Sequence, residues 1–267
     1  MINEFFMTHP VFTIEEFKEF ESDRGTKGKR AAESLITYYM RIGRIIRIKR
    51  SLYALVPQPG NRNNFLPDPF LIASRMSLDS ALVYHTALEF HGRSYSFHQR
   101  YTFQTDSYTR PLSWHNALFQ PVRVPMPLNQ RNQALFGVEN IDYRGMTVRV
   151  SSLERTLVDV LDRPDYSGNF EEIWRSLESV EFFDLDRVVE YVQIMSNATT
   201  ASKVGYFLEQ HKDILFVEEK HLNPLREMRP RQPHYMIRRG REKGHLVKSW
   251  NLIVPDEILH QRWKEIL

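Results

Sequence analysis

The segment that decides the fold is RGTKGKRAAESLITYYMRIGRIIRIKRSLYALV, residues 24–56. Its first half has apolar residues at helical spacing, and Gly43 is placed to end that helix. The β-branched run 44–50 and the apolar run 52–56 then predict two strands, with Ser51 at the tip of the hairpin. The predicted buried stripe of the helix is Ala32, Leu35, Ile36, Tyr39 and Ile42.

Positive charge is concentrated in this segment. Residues 24–50 contain nine lysines and arginines against one acid, Glu33, a net charge of +8 in a chain whose total is +3. Such density favours a polyanionic partner, because each cation that meets a phosphate releases a condensed counterion. The structural alternative is a solvated basic face with no ligand.

The helix and the hairpin suggest different contacts with double-stranded DNA. We expect the helix from Lys29 to Ile42 to enter the major groove, where Lys29 and Arg30 are the best candidates for reading bases. The hairpin would follow the phosphate backbone or the minor groove. The candidate DNA-binding residues are Lys27, Lys29, Arg30, Ser34, Thr37, Tyr38, Arg41, Arg44, Arg47, Lys49 and Arg50.

The flanking sequence completes a small domain. Thr13 and Glu16 fit a capping box, with Phe12 and Phe17 as its hydrophobic staple, so a helix should run from Ile14 to near residue 22. The order helix, helix, hairpin predicts a winged helix-turn-helix domain over residues 1–58. The segment PQPGNRNNFLPDP, residues 57–69, has the composition of a linker and marks the predicted boundary.

Residues 70–267 predict a larger α+β domain with an antiparallel sheet and a helical C-terminal half. Helices are expected at 70–76 and 80–90, and strands at 101–105, 119–124 and 135–138. A hairpin should turn at Arg144-Gly145, between strands 141–143 and 146–150.

A second capping box, Ser151 to Glu154, predicts a further helix with Leu153, Leu157, Val158 and Leu161 on its buried face. Three more helices should follow, with apolar stripes that start at Ile173, Leu185 and Val204. The last predicted helix opens at Pro255-Asp256-Glu257 and should dock through Ile258, Leu259, Trp263, Ile266 and Leu267.

Charge reverses twice along this second domain. Residues 151–223 carry seven basic and fifteen acidic residues, a net charge of −8, so we expect no nucleic acid to bind there. Residues 224–250 carry eight basic and two acidic residues, a net charge of +6, which predicts a second basic surface.

Composition excludes several classes of function. The chain has no cysteine, which rules out disulfides, thiolate zinc sites and cysteine nucleophiles. It has no apolar run of membrane-spanning length, and its first residues lack the pattern of a signal peptide. We therefore expect a cytoplasmic protein without a membrane partner.

Two groups of residues could suggest catalytic chemistry. Histidines 85, 91, 98 and 115 match no metal-ligand spacing, and His85 and His91 are better explained as core or hydrogen-bonded residues. Asp165 with Glu218-Glu219-Lys220 resembles parts of a Mg²⁺-dependent nuclease, but such carboxylates belong on adjacent strands, whereas these flank predicted helices. We expect no metal, no cofactor and no enzymatic activity. A DNA nuclease, or a protein-interaction module with an incidental basic patch, is the alternative.

Three stretches together resemble the AbiEi family of antitoxins: the basic segment, YHTALEFHG at 84–92 and SSLERTLVD at 151–159. The resemblance extends to about residue 215. It implies an N-terminal winged helix that binds inverted repeats in its own promoter, and a C-terminal domain that counteracts the nucleotidyltransferase-like toxin of a type IV toxin-antitoxin system without a stable complex. The chain departs from the family at Ser51, where a glycine usually precedes the wing tyrosine. Within the matched Glu154-Arg155-Thr156, a capping role for Glu154 is expected.

Overall fold

Helices and strands alternate through the first 150 residues, and helices dominate the remainder. The computed structural model describes residues 2–23, 29–57, 65–237 and 244–261, except for the side chains of residues 29 and 30. The chain belongs to the α+β class, as predicted. Within the described ranges, no helix is long and apolar enough to cross a membrane.

The chain divides into two compact units, each assembled from separate stretches. The first contains residues 1–82, 99–122 and 140–150, and the second contains residues 83–98, 123–139 and 151–267. The proline-rich segment predicted as a boundary falls within the first unit, and its residues 58–64 lie outside the described residues.

The first unit begins with three helices and three strands. The Thr13 hydroxyl accepts a hydrogen bond from the Glu16 N–H (3.2 Å), and the Glu16 carboxylate accepts one from the Thr13 N–H (2.7 Å), which confirms the predicted capping box. The strands form an antiparallel sheet in the order β1-β3-β2. The elements are α1 (Ile2–Thr8), β1 (Val11–Thr13), α2 (Ile14–Asp23), α3 (Lys29–Arg41), β2 (Ile45–Lys49) and β3 (Leu52–Leu55). Helix α1 is not among the predicted elements.

Aromatic rings fill the core of this N-terminal part. The ring of Phe5 lies 5.1 Å from that of Phe12 and 5.3 Å from that of Phe17, and all three side chains are fully buried. Each contributes roughly 1.5–3 kcal/mol relative to an exposed side chain. Ala32 and Ile36 of α3 join the same cluster. The apolar face of α3 is therefore held against its own core.

Gly43 ends α3, as predicted. It has φ 73°, its N–H donates to the Met40 carbonyl (3.1 Å), and the Arg44 N–H donates to the Tyr39 carbonyl (3.0 Å). This pair of bonds is the Schellman motif, which satisfies carbonyls left over at the helix end. The predicted burial of Ile42 is wrong, because α3 ends at Arg41 and Ile42 is 45% exposed beyond the periodic stripe.

A six-stranded sheet follows helix α4 (Pro69–Ser74). Its order is β6-β7-β5-β4-β9-β8, and β5–β7 and β4–β9 are parallel pairs. The predicted antiparallel sheet is therefore wrong, and the sheet is mixed, because alternating apolar residues determine the faces of a strand but not its direction. The strands are β4 (Ala81–Leu82), β5 (Arg100–Gln104), β6 (Leu112–Trp114), β7 (Ala117–Val122), β8 (Val138–Tyr143) and β9 (Met146–Ser151).

Two predictions in this region are corrected. The helix expected over 80–90 is limited to α5 (His85–Phe90), because β4 occupies its first half and Tyr84 has φ 57°, which an α-helix does not allow. Residues 134–137 form turns rather than a strand. There the Phe136 carbonyl accepts a hydrogen bond from Arg155 Nη1 (2.6 Å), so it serves a side chain instead of a strand ladder.

The predicted hairpin at Arg144-Gly145 is confirmed. It joins β8 to β9, and both turn residues have positive φ, 55° and 77°. This is the backbone of a type I′ turn, whose twist matches that of the flanking strands.

Helices make up most of the second unit, and α7 to α10 confirm the four helices predicted after Ser151. The predicted capping box from Ser151 to Glu154 is wrong, because Ser151 ends β9 and Ser152 is the N-cap of α7, where its hydroxyl accepts a hydrogen bond from the Arg155 N–H. Glu154 instead accepts a hydrogen bond from the Asp184 N–H (3.2 Å). The helices are α6 (Met126–Gln130), α7 (Leu153–Asp162), α8 (Phe170–Glu178), α9 (Leu185–Met195), α10 (Ala198–Gln210) and α11 (Glu219–Met228), with a 3-10 helix at Pro164–Tyr166.

A three-stranded sheet and a short helix close the chain. The strands β10 (His234–Tyr235), β11 (Gly244–Val247) and β12 (Leu252–Pro255) lie in the order β10-β12-β11, and α12 (Asp256–Leu259) follows. Ile258 is buried as predicted. Trp263, Ile266 and Leu267 lie outside the described residues. In the predicted second basic surface, Arg226 pairs with Glu209 (3.0 Å), Arg229 donates to the Ser249 carbonyl (2.9 Å), and residues 238–243 lie outside the described ranges.

Candidate nucleic-acid interface

The outer face of α3 carries four of the predicted DNA-binding residues. Ser34, Thr37, Tyr38 and Arg41 are all exposed there. A helix repeats every 3.6 residues, so burying the Ala32–Ile36 side turns these four side chains outward together. The structure thus brings hydroxyl groups, an aromatic ring and a guanidinium onto one helical surface.

Lys27, Lys29 and Arg30 are the predicted DNA-binding residues at the N-terminal end of this surface. Lys27 is outside the described residues, and Lys29 and Arg30 belong to α3 without a described side chain. Lys29 and Arg30 start the helix, the end that carries partial positive charge and unsatisfied N–H groups. Their position on α3 agrees with the predicted start of the helix.

The one acid of the basic segment is already paired. Glu33 Oε1 lies 3.4 Å from Lys18 Nζ of α2, and the backbone carbonyl of Glu33 accepts a hydrogen bond from the Thr37 hydroxyl (2.9 Å). Lys18 was not among the predicted residues of the interface. Its positive charge, opposite to that of Glu33, could have indicated the pair. Pairing Glu33 with a cation reduces the repulsion that a lone carboxylate would exert on a phosphate.

Tyr38 and Arg41 form the C-terminal end of the outer face. The Arg41 guanidinium lies 5.7 Å from the centre of the Tyr38 ring, within the range of a cation–π contact. Tyr38 is 45% exposed. The contact holds a planar cation beside a planar ring, two groups suited to a phosphate and to a base or sugar.

Arg44 is used inside the protein. Its Nη2 donates a 2.6 Å hydrogen bond to Asn3 Oδ1, and its guanidinium lies 5.2 Å from the centre of the Phe6 ring. Both partners belong to α1, which the sequence argument missed. Arg44 therefore ties α1 to the end of α3, and in this conformation its charge is directed at the protein.

Two cations of the hairpin point outward, and a third is bound within the protein. Arg47 and Arg50 are exposed, whereas Lys49 Nζ donates to the Met76 carbonyl (2.7 Å). Burial lowers the pKa of the Lys49 ammonium. Arg47 and Arg50 thus remain the outward cations of the hairpin.

The tip of the hairpin adopts a left-handed backbone conformation at a serine instead of a glycine. Ser51 has φ 66°, and its carbonyl accepts a 2.9 Å hydrogen bond from the Ile14 N–H at the start of α2. Left-handed backbone costs an ordinary residue about 1–2 kcal/mol relative to glycine. The contact with α2 holds the tip in place and keeps the hairpin close to the helical core.

His85 and His91 of the second unit each form hydrogen bonds through Nε2. His85 Nε2 lies 3.1 Å from Glu89 Oε1 and 3.0 Å from the Ser96 carbonyl, and its ring stacks on His98 at 3.8 Å. His91 Nε2 lies 2.9 Å from the Ser151 carbonyl. The expectation that His85 and His91 are hydrogen-bonded structural residues is confirmed.

The acids of the nuclease alternative do not converge on strands. Asp165 lies in the 3-10 helix, and Glu218 is the N-cap of α11, 3.3 Å from Lys220 Nζ. Glu219 pairs with Lys212 at 3.0 Å and with Arg226. Across the part of the chain that the structure describes, no group of three or more histidines and acids has the arrangement of a metal site. The geometry gives that alternative no support.

The Glu154-Arg155-Thr156 motif is built into the core. Arg155 is 1% exposed, its Nε lies 3.2 Å from Asp159 Oδ2, and its Nη1 donates to the carbonyls of Ala134 and Phe136. Asp159 also accepts from the Tyr191 hydroxyl (2.7 Å). Arg155 therefore has a structural role that the sequence did not reveal.

Comparison with known proteins gives a likeness of fold. No protein-family model matches the chain, and no curated protein is significantly similar to it. Among solved structures, the RV2827C protein from Mycobacterium tuberculosis is similar, with a TM-score of 0.59 and 17% sequence identity. The match covers 96% of this chain and 89% of that one, so the fold extends over nearly the whole length of both.

Proposed function

We propose that this protein is a DNA-binding transcriptional autorepressor and the antitoxin of a type IV toxin-antitoxin system, and that residues 1–58 form its winged helix-turn-helix domain. The proposal extends the AbiEi resemblance of the sequence. It treats the protein as a regulator rather than an enzyme.

The arrangement of the N-terminal elements supports the winged-helix part of the proposal. Helix, strand, two helices and two strands follow in that order, and β1 pairs with β3. A winged helix uses this order to present its last helix to the major groove while the hairpin lies along the backbone.

One observation carries the proposal: the polar face of α3 is exposed and carries cationic, aromatic and hydroxyl groups. Arg41, Tyr38 and Ser34 lie on that face, and Arg47 and Arg50 of the hairpin provide outward charge beside it. Helix side chains read base edges, and arginines that meet phosphates provide affinity with little sequence preference.

Full-length protein should therefore bind a duplex with the inverted repeat of its own promoter more tightly than a scrambled duplex, measured by fluorescence anisotropy over a range of salt concentrations. With Arg44 and Lys49 engaged within the protein, seven of the nine cations in residues 24–50 remain. If two of these seven read bases, five meet phosphates. The slope of log K against log salt should then be about −4 to −5. Equal affinity for both duplexes would contradict sequence-specific repression.

Variants separate the two kinds of contact. Arg47→Ala should weaken binding to both duplexes and flatten the salt slope by roughly 1, as loss of one phosphate contact does. Lys49→Ala, on the same strand, is its matched control and should leave the slope unchanged. A flattened slope for Lys49→Ala would show that its bond to Met76 opens on DNA.

The antitoxin part is tested in cells. The charge of −8 over residues 151–223 disfavours nucleic acid there, which supports a separate role for the second unit. Expressed from an unrelated promoter, the Arg41→Ala/Arg47→Ala protein should still rescue cells from the neighbouring nucleotidyltransferase-like toxin while no longer repressing its own promoter. No stable complex should copurify. Failure of the wild-type protein to rescue growth would contradict the antitoxin proposal.

A further inference from the structure

A cavity of about 480 Å³ lies in the first unit, beside α4 and strands β5, β6 and β7. Its volume falls in the range of small-molecule sites, roughly 300–1,000 Å³. Ile72 of α4 lines one side, and Trp114 at the end of β6 lines another. The cavity is separate from the outer face of α3 and from the hairpin cations.

Two stacked aromatic rings line the cavity. Tyr101 of β5 and Phe119 of β7 are register partners, and their rings stack with centres 5.6 Å apart and planes at 25°. Ala117, two residues before Phe119, lies on the same face, as strand alternation requires, and it pairs with Trp114. The small Ala117 side chain leaves open space between large rings.

Polar side chains also line the cavity. Gln99 precedes β5, and His115 and Asn116 form the turn from β6 to β7. Within the described residues, the side-chain amides of Gln99 and Asn116 have no hydrogen-bond partner in the protein. A carboxamide offers one acceptor and two donors, which match the edge of a nucleobase.

The lining has no strong charge. Among the described residues around the cavity, none is a lysine, arginine, aspartate or glutamate. Burying an unpaired ionic group is costly, so this site disfavours phosphates, carboxylates and amines. Stacked rings with neutral amides at one side favour a flat, uncharged heterocycle instead.

We propose that this cavity binds a neutral planar heteroaromatic molecule of nucleobase or nucleoside size. The ring of the ligand stacks on Tyr101, whose own ring is backed by the buried Phe119, and against Trp114, while Asn116 and Gln99 hydrogen-bond to its edge. The inference does not depend on the DNA-binding proposal, because it uses none of the same residues.

The test is isothermal titration calorimetry of the full-length protein with adenosine, guanosine, cytidine and uridine in separate experiments. At least one nucleoside should bind with a stoichiometry of one. Trp114→Ala should weaken it about 5- to 150-fold, the scale of losing an aromatic partner for a base. Tyr108→Ala removes a 79% exposed aromatic residue outside the cavity and should leave the affinity unchanged. No binding by any nucleoside, or equal effects of the two variants, would overturn the proposal.

Two further measurements control for misfolding of the variants and for binding of a charged ligand. Ala117→Phe fills the cavity without removing a contact, so it should abolish binding while the folded protein keeps its circular dichroism. The corresponding 5′-monophosphates should bind no tighter than the nucleosides, because the lining provides no cation for the phosphate. Tighter binding of a monophosphate, or normal binding by folded Ala117→Phe, would place the ligand elsewhere.

Discussion

Helices α3 and α7 each present an arginine on an otherwise amphipathic helix, yet they use it in opposite ways. Arg41 of α3 is exposed beside a tyrosine ring, whereas Arg155 of α7 is 1% exposed and bound to Asp159 and to two carbonyls. The charge of α3 is available to a partner, and the charge of α7 is used in folding. An arginine in a helical pattern therefore has no fixed meaning until its neighbours are known.

Energetics separate the two helices further. A buried arginine must have its donors satisfied, since an unpaired charge in the interior is strongly destabilising. Arg155 meets this condition with partners from its own helix and from the turn at 134–137. An exposed arginine stays hydrated and contributes little to stability. Substitutions at the two sites should consequently differ in size and in the property that they affect.

The largest effect is expected at Arg155. Arg155→Met should lower the free energy of unfolding by about 3–5 kcal/mol, because it leaves the buried Asp159 carboxylate without its cation. Urea unfolding followed by circular dichroism measures the change. Arg187→Met is the matched control, since Arg187 is 63% exposed and lies 4.0 Å from Asp184, and it should cost less than about 1 kcal/mol. Similar losses for both variants would remove the contrast between buried and exposed arginines.

A smaller effect is expected where α3 ends. Gly43→Ala should destabilise the protein by about 1–2 kcal/mol, because φ 73° is a left-handed conformation that alanine disfavours. An added Cβ at Gly43 meets no atom within 4 Å, so crowding does not contribute. The midpoint of thermal unfolding, compared with that of the wild-type protein, measures the change. An unchanged midpoint for Gly43→Ala would mean that the Schellman motif adds nothing to stability.

The same contrast explains how far the sequence could predict the fold. The stripe of α3, its glycine end, the Thr13–Glu16 cap and the hairpin at Arg144-Gly145 depend on residues near one another in the chain, and they were predictable. The inward turn of Arg44 depends on Asn3, and that of Lys49 depends on Met76. Because such partners lie far away in sequence, the sequence-based prediction included both cations among the DNA-binding residues.

Long-range packing also decided the features that the sequence missed. The parallel pairing of β5 with β7 follows from where the chain returns, which alternation of side chains does not encode. Of the strand expected at 135–138, residues 135–137 form turns, where the Phe136 carbonyl is bound by Arg155, and only Val138 belongs to a strand. In the candidate site, α3 was predicted to within one residue, with Ile42 wrongly placed in its buried stripe. The division of the neighbouring cations into outward and inward sets depends on contacts that the sequence does not reveal.

The tip of the hairpin should respond more weakly than the end of α3. Ser51→Gly should stabilise the protein by about 0.5–1 kcal/mol, because glycine relieves the cost of φ 66° but loses more entropy on folding. Thermal unfolding of Ser51→Gly and Ser51→Ala distinguishes backbone strain from loss of the hydroxyl, since only glycine should raise the midpoint. Destabilisation by both would show that the serine hydroxyl is needed at the tip.

The smallest effect on folding is expected at Arg41, which completes the comparison with Arg155. Arg41→Ala removes an exposed side chain whose described contact is the Tyr38 ring, so the free energy of unfolding should change by no more than about 0.5 kcal/mol. The same substitution should cost about 1–3 kcal/mol of binding to promoter DNA if Arg41 forms a bidentate contact with a base. Urea unfolding and fluorescence anisotropy on one preparation give both quantities.

Tyr38→Phe, which keeps the ring, is the control for the cation–π contact and should leave the position of Arg41 and most of the affinity intact. A large loss of stability for Arg41→Ala with unchanged DNA affinity would make Arg41 a structural residue like Arg155, and would move the reading face of α3 away from its C-terminal end.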